Sequence, residues 1–170
     1  MQDNATKNQQ SLGAYLKALN ILFYAIFTGQ LLFAFIIYVL LKINAARAMP
    51  QNEQRVFEYV VPVVLFLCMA ASWTLFKKRI ELIKQETNLS AQLNAYRALY
   101  ILRFALAEAP VLFALIILFV SGAQIIWLFV LIGIVSFITL RPTKERITKE
   151  LELSSNDMDE LEGVDEIKEQ

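Results

Sequence analysis

LYILRFALAEAPVLFALIILFVSGAQIIWLFVLIGIVSFITL, residues 99–140, is the stretch on which the fold turns. It is apolar almost throughout and is punctuated only by Ser121-Gly122, a pair too short to join its two halves other than as an antiparallel helical hairpin. Residues 99–120 carry Arg103 and Glu108 as their only charges, and residues 123–140 carry none. At 1.5 Å per residue each half approaches the roughly 30 Å of a bilayer's hydrocarbon. A soluble domain has no use for so much uninterrupted apolar surface, so the hairpin reads as two membrane spans.

Two more spans lie upstream. Residues 19–41 are uncharged and interrupted only by Asn20, Thr28, Gly29 and Gln30, and residues 59–76 are likewise uncharged. The first is too long for a cleaved signal and ends at Lys42 without a small-residue cleavage pattern. The whole chain agrees: 57% of its 170 residues are hydrophobic against 19% charged, with mean hydropathy +0.49. The expected fold is therefore all-α, an integral membrane four-helix bundle with spans at 19–41, 59–76, 99–120 and 123–140.

Orientation follows from the cations next to the spans, because loops rich in Lys and Arg stay on the cytoplasmic side. Lys77, Lys78, Arg79, Lys84 and Arg97 lie between spans two and three, and Arg141, Lys144, Arg146 and Lys149 follow span four. Both segments, and with them both termini, are expected in the cytoplasm of a cell bounded by an inner membrane. Helical periodicity extends into these segments. Leu89, Leu93, Tyr96 and Tyr100 share one face, with Asn88 or Ser90 able to cap it, and Ile147 and Leu151 share another that can meet Ile80 and Ile83. Helical extensions are thus expected over 77–98 and 143–153, with Pro142 at a first-turn or kink position. Beyond them, residues 154–170 are strongly acidic and read as a solvated mobile tail that lacks the spacing of a calcium-binding loop.

Placing residues 19–40 on 99–120 at an offset of 80 matches Leu19, Ile21, Leu22, Ala25, Leu32, Phe33, Ala34, Ile36 and Ile37 to identical residues. This points to two hairpins as a parallel internal repeat, with a pseudo-axis along the membrane normal. Ala25 with Gly29, and Ala105 with Ala109, repeat small residues at a spacing of four, which lets helix backbones approach closely in lipid. Spans one and three are expected to meet there. Against this stands the plain reading that alanine is common in any membrane helix.

Glu108 carries the most chemical content, since a carboxylate in hydrocarbon costs several kcal/mol unless it is paired, hydrated or protonated. Pro110 frees the carbonyl of Leu106 beside it, Thr28 is its counterpart in the repeat, Gln30 lies near that counterpart, and Arg103 stands five residues before it. These five residues form the candidate proton or ion site; the competing reading is a structural polar pair close to the membrane boundary.

Other chemistry lacks its residues. There is no His, Cys68 is the single cysteine, and no nucleophile, phosphate-binding or metal-ligand set is present, so neither enzymatic activity nor a cofactor is expected. A net charge of zero gives no footprint for nucleic acid. The expected partners are membrane lipid and either further copies of the chain or a larger membrane complex. Two function classes remain: an accessory or assembly protein acting by helix association, and a small proton- or ion-coupled translocator.

Leu102-Arg103-Phe104-Ala105-Leu106-Ala107-Glu108-Ala109-Pro110-Val111-Leu112-Phe113 resembles the ion-binding helix of rotary ATPase proteolipid subunits, which implies an ion-binding role for Glu108. The likeness covers one helix, and here the glutamate lies on the first helix of its hairpin and Gly29 stands alone in span one. Over most of its length, including Glu108-Ala109-Pro110 and the exit Arg141-Pro142-Thr143-Lys144-Glu145-Arg146-Ile147, the chain resembles small four-span membrane proteins of Bacteroidetes. That resemblance implies topology and no activity.

Overall fold

The computed structural model describes residues 12–43, 50–86 and 88–153, and over them the chain is all-helical. Five helices follow in order: α1 (Leu12–Lys42), α2 (Gln51–Lys84), α3 (Leu89–Ser121), α4 (Ile126–Ile138) and α5 (Lys144–Leu151). The acidic segment 154–170 and the end of the chain before α1 lie outside the described residues, as does most of the loop between α1 and α2.

The first three helices are each long and apolar enough to cross a membrane. Helices α1, α2 and α4 also wear the surface of a membrane protein: Ile21, Phe35, Phe66, Leu67 and Leu131 are all more than half exposed, an arrangement that water penalises and lipid does not. Each helix buries only the stripe facing its neighbours. In α1 the stripe is Leu19, Phe23, Gln30 and Ile37, and in α2 it is Val61, Leu65, Ser72, Phe76, Ile80 and Ile83, both close to a heptad seam. Helix α3 buries a far wider arc, because it packs against α1, α2 and α4 at once. It is the central element, and α1 and α2 flank the α3–α4 hairpin.

The hairpin turn forms as its sequence dictates. Gly122 adopts a left-handed conformation (φ 69°) that ends α3, and its N–H donates to the Leu118 carbonyl at 2.9 Å. The Ser121 hydroxyl donates to the Ile117 carbonyl at 2.7 Å and accepts from the Ala123 N–H at 3.2 Å. One close approach draws α4 onto α3: a Cβ at Gly133 would stand 2.5 Å from Cγ2 of Val111. Helix α4 is shorter than the expected fourth span. Of residues 123–140 only Ile126–Ile138 are regular α-helix, about 20 Å of rise, with turns at either end.

Two cores result. The one farther from α5 gathers Ile37, Val61, Val111, Leu115, Leu118, Ile126 and Val130. The one nearer α5 is aromatic: Phe23 stacks on Phe137 at 5.2 Å between centroids, Phe104 lies 5.8 Å and 5.7 Å from those two rings, and Tyr96 and Tyr100 continue the row. Helix continues beyond the apolar stretches there: α2 runs on to Lys84, α3 starts at Leu89, and α5 follows α4. Asn88 caps α3, its Oδ1 accepting from the Ser90 and Ala91 N–H groups, and Ile80, Ile83, Ile147 and Leu151 share the aromatic core's buried cluster. Pro142 is neither first-turn nor kink. It stands just before Thr143, whose hydroxyl caps α5 by accepting from the Arg146 N–H at 3.3 Å, so the chain breaks between α4 and α5.

Candidate functional site

Glu108 lies on α3 and is half-buried, with no hydrogen bond and no ion pair among the described residues. Ala105, one turn before it, and Ala109, the next residue, are exposed, so this arc of α3 is covered by no other described helix. On α1, Ala25, Thr28 and Gly29 are exposed as well, and nothing lies within 4 Å of a Cβ built on Gly29. The expectation that spans one and three meet through these small residues is therefore corrected. The two helices do pack, but through the Phe23 stripe, which buries large aromatic area where the small residues would bury little.

The five candidate site residues are not brought together. Thr28 faces outward, whereas Gln30, two residues on, is fully buried with both side-chain polar atoms unpartnered. Pro110 is buried inside α3, and the helix continues through it. Arg103 turns away from Glu108 towards α2: its guanidinium lies 4.0 Å from the centroid of the Phe76 ring, a cation–π contact.

Arg103 belongs instead to a polar cluster that the sequence did not reveal. Its centre is Glu150 of α5. Glu150 Oε2 accepts from the Tyr96 hydroxyl at 2.6 Å and the Tyr100 hydroxyl at 3.1 Å, while Oε1 accepts from Arg146 Nε at 2.9 Å. Arg103 Nη1 stands 3.9 Å from that same Oε1, and Arg146 Nη1 donates to the Thr139 carbonyl at 2.6 Å. Each position follows from local structure: Tyr96, Tyr100 and Arg103 lie on one face of α3 at spacings of four and three, and Arg146 and Glu150 are four apart on α5. A carboxylate holding three donors, two from one helix and one from another, fastens α5 to α3. Lys84 at the end of α2 closes the outer edge with a 2.6 Å contact to Glu152, and the Tyr15 hydroxyl donates to the Leu93 carbonyl, joining α1 to the foot of α3. The one signal in the sequence was the matched i, i+4 pair Arg146 and Glu150 on a short helix.

No group of three metal-ligating side chains occurs among the described residues. Comparison with family models, curated proteins and solved structures gives no match for this chain.

Proposed function

We propose that the chain is a four-span inner-membrane protein, with both termini cytoplasmic and no catalytic activity, that works as an accessory or assembly protein by pairing with a second copy of itself. The observation that carries this reading is the Glu108 carboxyl, unpartnered on the arc of α3 that the chain's own helices leave bare. A carboxyl on a lipid-facing arc is costly, and a covering helix with a donor removes the cost. The chain supplies such a helix. On α1, Thr28 stands between Ala25 and Gly29 just as Glu108 stands between Ala105 and Ala109, and both sets are accessible. Packing α1 of one copy against α3 of another sets small residues face to face and aims a hydroxyl donor at the carboxylate. Repeating the contact in the opposite sense closes a symmetric dimer. The reading is preferred to ion translocation because Thr28, Gln30 and Glu108 do not converge within one chain.

The test replaces Cys68 with Ser and introduces Gly29→Cys together with Ala109→Cys. Oxidation in membranes should link two 19.4 kDa chains into a dimer, and Ala109→Leu in the otherwise native chain should reduce the dimer seen by size analysis in mild detergent. A chain that stays single in detergent and forms no linked dimer in the membrane overturns the reading.

A further inference from the structure

Between α2 and α4, with α3 as its floor, a slot of about 500 Å³ opens to the outer surface of the bundle. Its walls are mostly apolar, among them Phe66, Met69 and Trp73 from α2 and Val135 from α4, and Arg103 and Ser72 line it as well. The charge of Arg103 is not used up by the protein. Its Nε and Nη1 are buried without a hydrogen bond, and the nearest carboxylate, Glu150, already accepts from Tyr96, Tyr100 and Arg146. Two guanidinium groups thus converge on one carboxylate and leave a positive charge over, held where few water molecules reach it. Two other hydroxyls of the slot cannot donate into it, since Ser136 and Thr139 give their protons to the Ile132 and Ser136 carbonyls. The Ser72 hydroxyl takes no hydrogen bond among the described residues.

A pocket whose free polar groups are donors and whose net charge is positive calls for an anionic acceptor. Its apolar walls, open sideways, call for that anion to carry a chain. We propose that the slot holds the headgroup phosphate of an anionic membrane lipid. Arg103 is its charge partner and Ser72 a hydroxyl donor, and the acyl chain runs along Phe66 and Met69, which lie one to two turns farther from the α5 end than Trp73. The volume matches a headgroup and the first carbons of a chain. Guanidinium is the side chain best fitted to a phosphate. Lys77 reinforces the mouth, its Nζ 4.5 Å from the Trp73 ring centroid.

Trp73 also provides the probe. Full-length chain carrying Trp127→Phe, in which Trp73 is the sole tryptophan, is reconstituted in phosphatidylcholine vesicles. Quenching of its fluorescence by dibrominated phosphatidylglycerol is compared with quenching by dibrominated phosphatidylcholine at equal mole fraction. The anionic lipid should be preferred by about fivefold, the value of one basic group facing an anionic headgroup. Arg103→Gln should erase the preference and leave phosphatidylcholine quenching unchanged, and excess inorganic phosphate should leave the native preference intact. Ala107→Leu, which fills the floor of the slot without touching the Glu150 cluster, should erase it too and carries the test if Arg103→Gln does not fold. Equal quenching by the two lipids, a preference that survives Ala107→Leu or a folded Arg103→Gln, or its loss to inorganic phosphate, which would make the ligand a soluble anion, each overturns the proposal.

Discussion

Gly133 and Glu150 are the residues on which single substitutions should tell most. A side chain at Gly133 meets Val111 across the α3–α4 contact, so Gly133→Val should lower stability by about 1–3 kcal/mol, and Val111→Ala in the same chain should recover part of the loss. Unfolding in detergent measures both. Glu150→Gln leaves Arg103 and Arg146 without their shared carboxylate and should cost about 1–3 kcal/mol, whereas Tyr96→Phe removes one of three donors and should cost about 1 kcal/mol. The sequence made Glu108 conspicuous because a charge inside an apolar run stands out unaided. Glu150 was invisible for the opposite reason, since it sits in a charged octet, Lys144–Leu151, and gains its meaning only from tyrosines some fifty residues earlier. Spacing within one helix cannot report a contact between two.

At the scale of elements, α3 does most of the joining and α5 is the piece most dependent on others. Eight residues are too few for a helix to persist alone in water, so α5 stands on its Thr143 cap, the Glu150 cluster, and Ile147 and Leu151. Ile147→Ala should cost about 2–5 kcal/mol at the docking site, and it should appear first as faster proteolysis around α5, ahead of any change in the membrane helices. The long helices were legible because apolar length and a glycine turn are local properties, as the Gly122 cap illustrates. The reach of α4 was not. Composition is apolar from 123 to 140, but residues at both ends turn, and hydropathy does not distinguish a helix from a turn made of the same residues.

Taken whole, the molecule is an α3–α4 hairpin flanked by α1 and α2, with an apolar exterior and a polar clasp at the α5 end. Membrane character could be read from composition alone, and the packing faces of α5 and the foot of α3 from periodicity; which faces of the apolar helices pack could not. The heptad-like stripe of α1, Leu19 to Ile37, selects one arc of a helix that is apolar all round, and only the shapes of the facing aromatics choose it. Small residues at a spacing of four mark where backbones are able to approach, without saying whether the approaching helix belongs to the same chain.

The clasp also has a consequence in time. A ribosome delivers Arg103 almost fifty residues before Glu150. While the earlier helices are being laid into the bilayer, that arginine waits without its counter-ion, and the clasp stays open until α5 emerges. A message truncated just ahead of Glu150 would leave every transmembrane segment in place and Arg103 still without its carboxylate.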